Sequence, residues 1–96
     1  KLRALIVAEK SKATSSLKKE VEKLEAEISK LEEALDHEQN ELTIATNKGD
    51  NNKTIELLRN INKYEKDIEV KFSALEISQT KLDDMNKEFE KRMNEV

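Results

Sequence analysis

The stretch "TNKGDNNK", residues 46–53, decides the fold, because it holds the only glycine of a 96-residue chain that has no proline. A glycine just past the end of a helix adopts the left-handed conformation that caps that helix. Asp50, Asn51 and Asn52 follow it, and side chains of these types cap the N-terminus of a new helix. The stretch therefore predicts a turn between two helices.

Upstream of this turn, large aliphatic residues recur at alternating steps of four and three. They are Leu17, Val21, Leu24, Ile28, Leu31, Leu35 and Leu42, with Glu38 at the one skipped place. This spacing is the a/d seam of a coiled coil. The same frame continued past Leu42 would put Gly49, Asn52 and Lys63 in the seam, so one uninterrupted helix is excluded.

Downstream of the turn, a second seam starts in a new phase. We predict that it comprises Leu58, Ile61, Glu65, Ile68, Phe72, Leu75, Gln79, Leu82, Asn86, Phe89, Met93 and Val96. The column that starts at Ile61 is apolar throughout, and the column that starts at Leu58 is half polar. Polar seam residues cost stability but help to specify the register.

The two seams predict an all-α fold, a two-helix antiparallel coiled-coil hairpin forming a single domain over residues 1–96. The expected bounds are a helix over about 2–46, a turn over about 47–52 and a helix over about 53–95. Facing positions should sum to about 99. The predicted pairs are Leu35 with Tyr64, Leu31 with Ile68, Ile28 with Phe72, Leu24 with Leu75, Leu17 with Leu82, Ile6 with Met93 and Leu2 with Val96.

The segment "EKSKATSS", residues 9–16, is the weak part of the first helix because it has no large apolar residue. The helix is expected to bend or restart here, with Thr14 to Ser16 as candidate caps. Val70 and Ile77 lie one heptad apart outside the predicted seam, and Leu57, Tyr64 and Met85 widen this apolar stripe. A second copy or a larger partner is a candidate to cover it.

Composition excludes several classes of protein. The chain is 41% charged, 35% hydrophobic and 3% aromatic, which is typical of long helices and not of a wide globular core. It has no cysteine, hence no disulfide framework or thiolate metal site. No apolar run approaches the roughly 20 residues of a membrane span. We expect a cytoplasmic location, and we expect the chain to be a piece of a longer protein.

The sequence shows no pattern that predicts catalysis. Glu33, His37 and Glu41 have the spacing of a helical metal site, but no further His or Cys accompanies them, and an exposed histidine among solvated carboxylates is the preferred interpretation. No phosphate-binding glycine loop or nucleophilic triad is present. We therefore predict no cofactor, no metal and no enzymatic activity in this segment.

Basic residues gather near the open end of the predicted hairpin, although the whole chain carries a net charge of −3. The candidate nucleic-acid-binding residues are Lys10, Lys12, Lys18, Lys19, Lys87, Lys91 and Arg92. Lysines and arginines bind nucleic acid by displacing counterions from its phosphates. The competing interpretation is an ordinary charged coiled-coil surface, because Glu and Asp are interleaved with these bases.

One segment carries a family resemblance. Residues 17–25 read Leu-Lys-Lys-Glu-Val-Glu-Lys-Leu-Glu, and Lys71-Phe72 is followed by Leu75-Glu76 on the returning helix. Over about residues 3–93 the chain resembles the C-terminal extension of ABC-F ATPases, the non-transporting ATP-binding cassette proteins. The chain departs from the family pattern in three places. Ser16 stands where the family often has a proline, Phe72 stands where it has a tryptophan, and the turn lacks the aromatic residue that is frequent there.

The resemblance implies an accessory arm that contacts ribosomal RNA, DNA or the ribosome, while ATP is hydrolysed elsewhere in the parent chain. The rival hypothesis is a structural stalk or a protein-binding arm of a motor, tether or filament protein. Other domains of its own chain are further candidate partners. We expect no membrane contact and a monomer or weak homodimer.

Overall fold

The computed structural model describes residues 1–95 and contains two helices, α1 (Leu2–Lys48) and α2 (Asn51–Glu95), with no strand among the described residues. The two helices pack against each other, so the predicted all-α helical hairpin is confirmed. The predicted partner of Leu2, Val96, lies outside the described residues.

The turn is tighter than the predicted span of about 47–52, because only Gly49 and Asp50 lie between the helices. Gly49 has a φ of 71°, and two backbone hydrogen bonds close α1 at this point. Its N–H donates to the carbonyl of Thr46 at 3.1 Å, and the N–H of Asp50 donates to the carbonyl of Ala45 at 3.0 Å. This is the Schellman pattern, which satisfies carbonyls that the helix end would otherwise leave unpaired.

Asp50 then begins α2. The backbone N–H of Lys53 donates to Asp50 Oδ1 at 3.1 Å, as expected when an N-cap carboxylate accepts from the third residue of a helix. Thr54 also donates its backbone N–H and its hydroxyl to the Asp50 carbonyl. One residue therefore ends the turn and starts the second helix.

The chain forms two compact units. The turn unit is Ala26–Phe72. The terminal unit is Lys1–Glu25 with Ser73–Val96, of which Val96 is not described.

In the turn unit, the predicted seam of α1 is confirmed. Its seam residues are buried or half-buried from Ile28 through Leu42, and the seam continues to Ala45, which is buried. Glu38 occupies the seam place that the aliphatic pattern skips, and its Oε2 is buried without a hydrogen-bond partner among the described residues. The pattern of burial therefore follows the heptad even where the residue is polar.

Of the two columns predicted for the seam of α2, the structure confirms one and corrects the other. The column that includes Ile61, Ile68, Leu75, Leu82 and Phe89 faces inward as predicted. The second column does not start at Leu58. It consists of Leu57, Tyr64, Lys71, Ser78, Met85 and Arg92, all of them buried or half-buried. In the predicted column only the last two members, Asn86 and Met93, are half-buried, and the members from Leu58 through Gln79 are exposed.

Leu58 and Phe72, which were predicted to face inward, are 50% and 48% exposed. The facing pair of Ile28 with Phe72 is therefore wrong. Each candidate column contains three large apolar residues, so counting them does not choose between the columns. The observed column tolerates its polar members because long basic side chains reach acidic partners beside the seam.

One ion pair between the helices in each unit shows the register in which α1 and α2 are paired. In the turn unit, Lys71 Nζ lies 2.6 Å from Glu27 Oε2. In the terminal unit, Arg92 lies 2.8 Å from Glu9 Oε2. Their residue numbers sum to 98 and 101, which brackets the predicted sum of about 99.

In the terminal unit, α1 passes through residues 9–16 without interruption. Thr14 is only 1% exposed, and its hydroxyl donates to the carbonyl of Lys10 at 2.7 Å, one turn earlier in the same helix. The predicted capping role for Thr14 is therefore wrong. A threonine inside a helix satisfies its hydroxyl in this way and so can occupy a buried place.

Candidate nucleic-acid interface

All seven predicted nucleic-acid-binding residues belong to the terminal unit. Five of them are exposed, namely Lys12, Lys18, Lys19, Lys87 and Lys91. Lys10 and Arg92 are half-buried because they occupy seam places on α1 and α2. The predicted set therefore divides into exposed bases and bases that help to cover the seam.

Lys12 and Lys19 lie on the outer face of α1. Each lies two positions after one seam residue and two positions before the next. At about 100° per residue its side chain therefore points about 200° away from the seam. Lys87 lies midway between the seam residues Met85 and Phe89 of α2 and points outward by the same argument. Outer positions of paired helices face in opposite directions, so the fold does not bring Lys12 and Lys87 onto one surface.

Arg92 is engaged within the hairpin. It pairs with Glu9 at 2.8 Å, and its guanidinium lies 5.2 Å from the centroid of the Phe89 ring. A guanidinium over an aromatic face makes a favourable cation–π contact. Arg92 therefore has a structural role in the terminal unit, which reduces its availability to an external phosphate.

Charge further separates the two helices of this unit. Residues 1–25, which comprise Lys1 and the first half of α1, contain seven Lys or Arg against four Asp or Glu, a net +3. Residues 73–95 of α2 contain four against six, a net −2. The exposed bases of α2 are thus outnumbered by carboxylates, and the surface best suited to phosphates is the α1 surface of Lys12, Lys18 and Lys19.

The described residues hold no group of three or more His, Cys, Asp or Glu side chains placed to bind a metal ion. His37 is exposed. The absence of a cofactor and of enzymatic activity remains a prediction that no observation tests.

The concave features of the surface are shallow. A depression of about 340 Å³ is lined by side chains of α2 alone, Asp84, Met85, Glu88, Phe89 and Arg92. A second, of about 310 Å³, is lined by Glu27, Lys30, Leu31 and Lys71 in the turn unit. Neither of the two combines a nucleophile with a base. No helix among the described residues has the length and apolarity needed to cross a membrane.

Sequence reasoning missed one surface, the side of the turn unit that presents Leu58 and Phe72. These residues were assigned to the interior because they fit a heptad column. The signal that could have revealed the surface was the equally apolar alternative column that starts at Leu57.

Comparisons of this chain with protein-family models, curated proteins and solved structures give no match. The resemblance to the ABC-F extension therefore stays a prediction from residues 17–25 and 71–76.

Proposed function

We propose that this hairpin is a non-catalytic interaction arm of a larger protein of the ABC-F type, and that it contacts RNA or DNA through the outer surface of α1 in the terminal unit. The observation that carries the nucleic-acid contact is the exposure of Lys12, Lys18 and Lys19 on one helix. The parent protein is proposed from the family resemblance alone.

The three lysines suit a phosphate backbone for physical reasons. Lys12 and Lys19 are one heptad apart, or about 10 Å along the helix axis, and Lys18 lies about 100° around the helix from Lys19, nearer to the seam. Exposed ammonium groups at this spacing can each replace counterions near a different phosphate. Such contacts carry no sequence information, so the arm would position the parent protein on nucleic acid without selecting a base sequence.

The test is a salt titration of binding to short RNA and DNA duplexes, read by fluorescence anisotropy. We compare the unaltered hairpin with the triple variant Lys12→Gln, Lys18→Gln, Lys19→Gln. If each lysine neutralises one phosphate, the slope of log K against log salt should fall by about 2.7 in magnitude, at about 0.9 per contact.

The matched control is Arg59→Gln, Lys63→Gln, Lys66→Gln, which removes the same charge from exposed positions of the turn unit. It should leave the slope unchanged. Equal losses in both triple variants would indicate a general charge effect and would contradict the proposed surface. Absence of salt-dependent binding by the unaltered hairpin would contradict nucleic-acid contact altogether.

A protein-binding arm is the second candidate, and the exposed apolar residues of the turn unit favour it. Ile44, Ile55, Leu58, Val70 and Phe72 all have about half or more of their surface exposed to solvent. A hairpin that served only as a spacer would need a single apolar seam. Apolar side chains outside that seam are typical of surfaces that meet another protein.

A further inference from the structure

We infer that one side of the turn unit binds a basic amphipathic helix of a protein partner. The surface consists of Ile55, Leu58, Asn62, Glu65, Glu69 and Phe72 of α2 with Ser29, Glu32, Asp36, Gln39 and Thr43 of α1, and we call it the acidic-apolar face. All of these residues are exposed. The inference is independent of nucleic-acid contact, which was placed in the terminal unit.

The exposed row on α2 is regularly spaced. From Ile55 to Phe72 its members follow one another at steps of three and four, the spacing of a coiled-coil seam. The helix thus carries two adjacent seams, one packed against α1 and one open to solvent. At about 1.5 Å per residue the open seam is about 26 Å long, enough for a helix of about 18 residues.

Both helices contribute to the acidic-apolar face. From Leu58 to Phe72, each residue of the exposed row directly follows a seam residue of α2, and Glu32 and Asp36 directly follow the seam residues Leu31 and Leu35 of α1. In an antiparallel helix pair, positions that follow the seam on both helices flank the same side of it. The ion pair between Glu27 and Lys71 lies on the other side, because Glu27 precedes the seam residue Ile28.

The charge of the acidic-apolar face identifies the chemistry of the partner. The face carries four carboxylates, Glu32, Asp36, Glu65 and Glu69, and none of its residues is basic. Glu32 with Asp36, and Glu65 with Glu69, are like-charge pairs four residues apart, an arrangement that disfavours the helix that contains it. None of the four makes an ion pair within the described part of the chain. Lysines or arginines from outside would relieve this repulsion.

The opposite side of the turn unit provides the contrast. There Lys53 pairs with Glu56 and Lys71 with Glu27, so acids and bases balance. The acidic-apolar face instead has apolar anchors at both ends, Ile55 with Leu58 and then Phe72, and carboxylates between them. Its complement is a helix with apolar residues at both ends of one face and basic residues in the middle.

The test uses the whole hairpin and a synthetic helical peptide of about 20 residues. The peptide carries leucines near both ends of one face with lysines between them, and a second peptide of the same composition has these residues scattered around the helix. Binding is measured by fluorescence anisotropy, and the site is mapped by amide chemical-shift changes. The patterned peptide should bind and shift the amides of residues 55–72, and the scattered peptide should bind at least about tenfold more weakly.

Two variants of the hairpin locate the contact. Phe72→Ala should weaken binding about tenfold, because a buried aromatic anchor carries much of the energy of an interface. The matched control, Val70→Ala, removes an apolar side chain that is exposed outside this face and should have little effect. Glu65→Lys with Glu69→Lys should also weaken binding about tenfold, whereas the control Glu33→Lys with Asp67→Lys changes the net charge equally and should not.

Three results would overturn the inference. The first is equal binding of the patterned and scattered peptides, and the second is equal loss in the variants and their controls. The third is concentration-dependent self-association in sedimentation experiments that Phe72→Ala abolishes, because the occupant of the face would then be a second copy of this chain. Circular dichroism of each variant shows whether the helices are intact.

Discussion

The turn unit and the terminal unit use the same heptad pattern but differ in how their helices are held and what they present to solvent. The turn unit is closed by a capped turn at Gly49 and Asp50, and its buried residues are all apolar. The terminal unit buries two hydroxyl-bearing residues, Thr14 and Ser78, beside its apolar ones. Thr14 shows that a heptad position can be filled by a small polar residue when its hydroxyl is satisfied within its own helix.

Charge distinguishes the two units as well. The turn unit has seven Lys or Arg and eleven Asp or Glu, a net −4, and the terminal unit has eleven and ten, a net +1. We have proposed that the terminal unit meets phosphates and that the turn unit meets a basic helix. Opposite electrostatic preferences in one hairpin would allow it to hold two different partners.

The largest expected effect is on stability, and it tests which column of α2 packs against α1 in the turn unit. Leu57 is 2% exposed, so Leu57→Ala should lower the free energy of unfolding by about 3 kcal/mol through lost burial and a residual cavity. Leu58→Ala removes the same atoms from an exposed place and should cost less than about 1 kcal/mol. Urea unfolding followed by circular dichroism measures both values. Similar losses for the two leucines would contradict the observed seam.

A smaller effect tests the cap that distinguishes the turn unit. Asp50→Ala removes the acceptor of the Lys53 N–H and should cost about 1 kcal/mol. Gly49→Ala should cost about 1 kcal/mol as well, because its positive φ is unfavourable for a residue with a Cβ, although open space surrounds the position. Thermal unfolding of both variants provides the measurement. An unchanged unfolding temperature would show that the turn does not depend on these two residues.

An effect of similar size, but of opposite sign, is expected at one buried polar atom in each unit. Glu38 Oε2 in the turn unit and Asn86 Oδ1 in the terminal unit are buried and have no hydrogen-bond partner among the described residues. Glu38→Leu and Asn86→Leu should each raise the free energy of unfolding, by about 1 kcal/mol, because the cost of an unpaired polar group is removed. Urea unfolding of the two variants tests this, and a loss of stability in either one would contradict it.

The candidate interface was only partly predictable from the sequence. The exposure of Lys12, Lys18 and Lys19 follows from their distance from the apolar residues of the first seam. The engagement of Arg92 with Glu9 could not be predicted, because the two residues lie 83 positions apart and meet only when the helices are paired. The exposure of Leu58 and Phe72 was also hidden, since both fit a heptad column.

The sequence by itself determined that the chain is a helical hairpin, where its turn lies, which residues of α1 form the seam and the approximate register. These features depend on local chemistry: the periodicity of apolar residues, one glycine and one capping aspartate. Only the tertiary structure decided which of two equally apolar columns of α2 completes the seam. Helix periodicity defines an apolar stripe, but the direction in which that stripe faces is set by the partner helix, whose seam must interlock with one column and leave the other exposed.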